Sequence, residues 1–310
     1  MPRHADADPP LPLLFSHAQA RELGLTPDQI RHRVRSGRWE RVGLGCYRRS
    51  LSEDLDPHLR KRLDHVDRAV AAASRHPDSV VALRSAALVR GLPLFLPVPH
   101  EVSLLVPYGH WAGHRAGVVF HHGDLDDDGE LVQGVRITTA SRTWLDIART
   151  RPLADSLAVG DAAARAGLVD VGTLRRRAAD LRAVRGCRRA QLAAAHVDAL
   201  RETPLESGSW AYFVRYGIPL PRLQVGFLDE WGEFIGRVDF VWEGAGLVGE
   251  CDGLVKYDDR RALYAEKRRE DRLRALGLQV VRWGWSDLRD ARLAATLRRR
   301  LGPSLGLEVT

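Results

Sequence analysis

The 310-residue sequence predicts a mixed α/β (α+β) chain in three segments: a winged helix-turn-helix over residues 1–57, a mixed α/β middle domain over 58–200, and a C-terminal αβββαβ core over 201–310. Three observations carry that expectation. Two helix-start signals stand close together near the N-terminus. Apolar strand patterns alternate with alanine-rich helical stretches in the middle. Toward the C-terminus, acidic side chains at Asp239, Glu250 and Asp252 interrupt otherwise apolar strand patterns. The last is costly, because a carboxylate on a half-buried strand must be protonated, paired or bound to a cation.

In the first segment, Ser16 with Gln19 and Thr26 with Gln29 each fit a capping box, in which side chain and backbone donors satisfy one another. Gly24 suits the end of the first helix, Pro27 the first turn of the second, and Gly37 its end. Residues 39–49 then read as two short strands around a glycine turn, a wing. With Ile30 and Val34 facing inward, Arg31, Arg33 and Arg35 fall on or beside the outer surface, near Arg38 and Arg41. These five arginines are candidate DNA contacts, the second helix for a major groove and the wing for phosphates. A solvated arginine face on a small packing domain is the plainer reading.

The middle segment shows a helix near 59–75, strands at Val102–Val106, Val118–His122 and Val135–Thr138, and alanine-rich helices after them. His121, His122, Asp124, Asp126, Asp127 and Asp128 place ligand-competent side chains together, but an Asp-rich loop after a strand is usually a solvated turn. Arginines between 175 and 189 read as a solvated helix face, with phosphate contact as the alternative.

In the last segment, a helix over 205–216 with Pro204 in its first turn puts Glu206 near its N-terminus. Strands follow at 223–228 and 234–241, joined by a turn at Asp229 to Gly232. Alternation assigns Val238, Phe240 and Trp242 to one face and Asp239 to the other. A third strand, Leu247–Cys251, contains Glu250 and exits near Gly253. A charged helix through Lys267 and Leu273, a strand over 278–283 and a helix capped by Ser286 complete the order.

Composition limits the functional classes. Lys and Arg total 47 against 40 Asp and Glu, giving net charge +7 and a pI near 9.7, which favours a polyanionic partner such as nucleic acid. Lysine occurs only at Lys61, Lys256 and Lys267, an arginine bias that a GC-rich genome would also produce. Cys46, Cys187 and Cys251 are odd in number and far apart, which argues against a disulfide framework or zinc ribbon. No signal-peptide core and no apolar run of roughly 18 residues is present, so a soluble cytoplasmic protein with no membrane partner is expected. The phosphate-cradling Gly-x-x-x-x-Gly-Lys motif is absent.

Through its Leu-Gly-Leu-Thr-Pro-Asp-Gln-Ile start and Gly-Arg-Trp-Glu-Arg-Val-Gly-Leu-Gly-Cys-Tyr wing, the first segment resembles the winged-helix domain of AbiEi-type antitoxins. The stretches at 85–94 and 136–148 resemble the second domain of that family. This resemblance implies regulation or a protein partner, such as a cognate toxin, through the middle domain, and no catalysis there.

The C-terminal segment resembles the PD-(D/E)XK nuclease superfamily, and more closely its branch related to Vsr repair endonucleases. The matching pieces are Leu205-Glu206-Ser207, Gly236-Arg-Val-Asp239-Phe240, Glu250-Cys-Asp252-Gly-Leu-Val-Lys256-Tyr257 and the strand following Gly277. The resemblance implies a DNA endonuclease using Mg²⁺ or Mn²⁺, with Asp239 and Glu250 as ligands and Glu206 holding a second ion or orienting a water, or merely complementing the helix N-terminus. The family's lysine two positions past the second acid is replaced by Asp252, which would aid the metal shell, orient Lys256 or simply make the turn. Lys256, then Lys267, is the candidate for contacting phosphate and water. The departure at Asp252 keeps a rival open, a non-catalytic DNA-binding regulator of antitoxin type with a degenerate nuclease fold.

Overall fold

The computed structural model describes residues 10–124, 128–132, 134–252 and 260–305. They form a mixed α/β protein whose chain divides into two units, Met1–Gly91 with Pro97–Thr143, and Leu92–Leu96 with Trp144–Thr310. The expected segment boundaries at 57/58 and 200/201 lie inside these units.

In the first unit, β1 (Leu14–Ser16), α1 (His17–Glu22), α2 (Pro27–Arg35), β2 (Trp39–Gly43) and β3 (Cys46–Arg49) make a winged helix with sheet order β1-β3-β2. Both capping boxes form: Ser16 Oγ accepts from Gln19 N–H at 3.1 Å and Thr26 Oγ1 from Gln29 N–H at 3.2 Å, each glutamine returning the bond at 2.8 Å. Phe15, Ile30 and Trp39 fill a small core, and α3 (Pro57–Arg75) follows. Arg48 of β3 is buried and bonds Glu40 together with Asp64 and Asp67 of α3, tying wing to helix.

Next come β4 (Val80–Val81), α4 (Leu83–Val89), β5 (Val102–Val106), β6 (Gly113–Arg115), β7 (Val118–His122), β8 (Gly129–Val132) and β9 (Val135–Thr138). Their sheet runs β6-β7-β5-β4-β9-β8, with alanines of α3 and α4 against its apolar face. His65 of α3 is buried beneath it. The Pro99 carbonyl, 2.9 Å from Nδ1, can only accept, so Nδ1 carries the proton and Nε2 accepts from Ser85 Oγ at 2.8 Å.

The helices α5 (Ala140–Thr150), α6 (Leu153–Arg165), α7 (Val171–Asp180) and α8 (Cys187–His196) precede the C-terminal core. That core is α9 (Pro204–Tyr216), β10 (Arg222–Leu228), β11 (Phe234–Trp242), β12 (Leu247–Cys251), α10 (Arg260–Ala275), β13 (Gln279–Trp283) and α11 (Arg292–Leu305), the order expected from sequence. Thr203 caps α9 by accepting from Glu206 N–H, and Gly217 closes it in a left-handed conformation. Asp161 of α6 binds Arg201 at 2.7 Å and Ser207 of α9 at 2.7 Å, all three buried.

The sheet order is β10-β11-β12-β13, antiparallel through β12 and parallel between β12 and β13, with α10 as the crossover. One apolar cluster joins Phe213 of α9, Phe240, Trp242, Trp283 and Leu297 of α11. The other joins Ile235, Val238, Val241, Val248 and Leu273 of α10. Gly249 lets the Trp283 ring cross β12, since a Cβ there would lie 2.4 Å from it.

Two local expectations fail. The last helix begins at Arg292, not after Ser286, because the intervening residues turn, with Asp287 accepting from Gly284 N–H at 2.8 Å. Val238 does not share a face with Phe240 and Trp242, for it packs in the cluster of Val241 and Leu273. The alternation therefore breaks at Asp239.

Candidate functional site

Asp239 stands just past the last paired residues of β11 and β12, Phe240 and Gly249. With the ladder open there, Asp239 Oδ2 accepts from the Cys251 backbone N–H at 2.8 Å. On the neighbouring strand Gln224 donates its side-chain amide to Glu206 Oε2 at 2.9 Å and, more weakly, to Asp239 Oδ1 at 3.5 Å. Glu206 also accepts from Glu202 N–H at 2.9 Å and from the Thr203 hydroxyl at 2.8 Å, so the first turn of α9 aims it at the same place. Burial pushes the Asp239 carboxyl up from 3.8 to about 6; the Glu206 and Glu202 carboxylates push the same way, against the Cys251 N–H and the Gln224 amide. Two carboxylates thus face one another through a neutral amide, an arrangement that stabilises a shared proton or a hard cation.

Glu250 and Asp239 are the residues next beyond the last pair, Gly249 and Phe240, but the Glu250 side chain is engaged elsewhere. Arg269 of α10 reaches Glu250 Oε1 at 2.5 Å and Glu266 at 2.7 Å. Arg282 of β13 reaches Glu250 Oε2 at 3.0 Å and also pairs with Glu266 and Glu270. Arg269 crosses β11 where Gly236 has no side chain, since a Cβ there would meet its Cδ at 3.0 Å. Burial still pushes the Glu250 carboxyl up, with both arginines pulling it back.

The expected trio of Glu206, Asp239 and Glu250 is therefore brought together only in part, Glu206 with Asp239. Among the described residues no three His, Cys, Asp or Glu side chains are grouped to hold a metal ion. That statement extends to His121, His122, Asp124 and Asp128; Asp126 and Asp127 lie outside the described residues. Asp252 is exposed, 3.9 Å from Arg282. Lys256 lies outside the described residues, and Lys267 is exposed on α10. Burial holds the Cys251 thiol well above its ordinary value, so it remains neutral beside Ser209 Oγ at 3.3 Å. Gln224 was not singled out from sequence; a glutamine in a strand carries no local signal of what it bonds.

At the winged helix, Arg31, Arg35, Arg38 and Arg41 are exposed, Arg31 pairing with Asp28. Arg33 corrects the expectation. It is 4% exposed, with its guanidinium 5.4 Å from the Trp39 ring centroid. Position 33 is three residues past Ile30 and so shares its inward face. No helix of the described residues is long and apolar enough to cross a membrane.

No family model matches the chain. Two uncharacterized proteins from different strains of Mycobacterium tuberculosis, MT2308 and Rv2248, are each 29% identical over 174 residues, covering 56% of this chain and 64% of theirs. The chain thus spans less than two thirds of the length of the curated relatives it matches. The crystal structure of the RV2827C protein from Mycobacterium tuberculosis gives a TM-score of 0.38 at 16% identity, over 64% of this chain and 75% of that one, a likeness too low to carry a conclusion about this chain.

Proposed function

We propose that this protein is a divalent-metal-dependent DNA endonuclease of PD-(D/E)XK and Vsr-like type, acting in the cytoplasm and directed to DNA by its winged helix. The observation that carries the reading is the Asp239–Glu206 pair, two carboxylates sharing one neutral donor, with burial raising the Asp239 pKa to about 6. Their hard oxygens fit Mg²⁺ or Mn²⁺. Glu250, with both oxygens on arginines, does not fit as a ligand in this arrangement. A bound ion supplies an acidified water and a polarised phosphate. Asp239 and Glu206 would hold it, the Cys251 N–H and Thr203 hydroxyl orient the carboxylates, and the neutral Cys251 thiol leaves the local charge unchanged. Exposed Arg31, Arg35, Arg38 and Arg41 hold DNA phosphates, and the +7 net charge favours that encounter.

The test is plasmid and oligonucleotide cleavage with Mg²⁺ or Mn²⁺, comparing wild type with Asp239→Ala and Glu206→Ala. Cleavage lost in both variants supports the reading. Equal inertness of all three proteins, with DNA binding intact, would sink it and leave the second reading, a DNA-binding regulator of antitoxin type with a protein partner on its middle segment. The neutralisation of Glu250 by Arg269 and Arg282 favours that second reading.

A further inference from the structure

Gln224 has φ +53°, a left-handed conformation that L side chains rarely adopt, in the middle of a β-strand. The effect on β10 is a change of phase. Leu223 packs with the cluster of Phe240 and Trp242, while Val225 and Phe227, two and four residues on, pack with that of Val241 and Leu273. Regular alternation would put all three on one face. The partner strand changes phase opposite, at Asp239, between register pairs Leu223–Phe240 and Val225–Val238. A glycine would make the same bend with no steric penalty. The side chain must therefore account for glutamine, and its amide donates to Glu206 at 2.9 Å and to Asp239 at 3.5 Å.

Resting on the nuclease reading above, we propose that Gln224 is a positioning residue for the divalent cation, holding the Glu206 and Asp239 carboxylates toward one another without neutralising them. An arginine or lysine in its place would satisfy both acids and remove the charge that attracts a metal. An apolar residue would remove the donor the two carboxylates share, leaving each held by its own donors, Glu202 N–H and the Thr203 hydroxyl for Glu206 and the Cys251 N–H for Asp239. A neutral donor at a bent strand does neither. It orients both carboxylates and leaves two negative charges facing one spot.

The experiment is Mn²⁺ binding to the full chain by titration calorimetry, alongside metal-free thermal melts, for wild type, Asp239→Ala, Gln224→Gly and Gln224→Met. Glycine keeps the left-handed backbone, and methionine keeps the side-chain length without a donor. Gln224→Gly is expected to melt at or above the wild-type temperature yet bind Mn²⁺ at least fivefold more weakly, with Gln224→Met weakened to the same degree. A role confined to folding predicts the reverse, a lowered melt with affinity unchanged. If wild type binds Mn²⁺, Asp239→Ala abolishes it and both Gln224 variants stay within fivefold of wild type, this inference falls and the nuclease reading stands. If Gln224→Gly fails to fold, Gln224→Met alone decides by the same fivefold criterion. Absence of Mn²⁺ binding in wild type overturns both.

Discussion

Replacing Asp239 with asparagine is expected to stabilise the metal-free protein at pH 8 and to leave it little changed at pH 4. Burial raises the Asp239 carboxyl from 3.8 to about 6, so the folded state prefers the protonated form. Below pH 3.8 both folded and unfolded chains carry the proton and the group costs nothing. As pH rises through about 6 the folded chain is made to ionise a desolvated carboxyl, and above that the full penalty applies. Each pH unit between the two values is worth about 1.4 kcal/mol, which gives a ceiling of about 3 kcal/mol. Solvent screening at this partly exposed position reduces that to roughly 1–3 kcal/mol. Asparagine still accepts from the Cys251 N–H and gains an amide to donate toward Glu206. A gain of that size corresponds to a rise of about 2–12 °C in the unfolding of a unit this large. The assay is thermal unfolding of both proteins in chelator from pH 4 to 8. A lower melting temperature for the variant at pH 8, or a difference constant across the range, refutes the reasoning. With excess Mn²⁺ the order should invert, because only the wild type keeps the ligand.

Asp161→Ala should cost about 3–5 kcal/mol in denaturant unfolding, because it strands the Arg201 guanidinium, 0% exposed, beside Trp210; Asp161→Leu with Arg201→Met should recover most of the loss. Arg33→Ala should lower the melting temperature, losing a guanidinium stacked on Trp39 worth about 1 kcal/mol, while Arg31→Ala and Arg35→Ala weaken DNA binding in gel shifts and leave the melt unchanged. His65, held neutral with its pKa lowered by burial to about 4, should make the first unit lose stability as pH falls from 6.5 toward 4, by up to about 3 kcal/mol; His65→Asn should flatten that slope in acid-dependent unfolding.

Much of this fold is legible locally. The bounds of β5, β7, β9 and β12 coincide with apolar runs between turn residues, and Ser16, Thr26 and Gly217 announce helix ends by their own chemistry. Arg33 was misplaced on the outer surface: its spacing of three from Ile30 points inward, but the stacking on Trp39 that offsets its charge shows only in the folded chain. The alternation break was not, because Gln224 and Asp239 are fifteen residues apart and neither is a glycine. Nor were the arginines on Glu250. Its spacing from Asp239 fixes backbone register, but Arg269 and Arg282 reach it from α10 and β13, whose placement follows from the crossover.

Asp239 and Glu250, each one residue beyond the last β11–β12 pair, are balanced in different ways. Glu250 belongs to a network of alternating arginines and glutamates, an arrangement that holds α10 to the sheet through Arg269 and Arg282. Among the described residues Asp239 accepts from the neutral Gln224 and Cys251 donors, with the Glu206 and Glu202 carboxylates close by. Beside it Gln224 holds a left-handed backbone, which costs about 1–2 kcal/mol in a non-glycine residue. Strain and an acid held by neutral donors thus fall on one facing pair of residues, although valine or threonine at 239 and glycine at 224 would relieve both. Destabilising choices that coincide at one point in an otherwise well-packed sheet are what a functional site produces, and under the nuclease reading proposed above that function is to bind a cation.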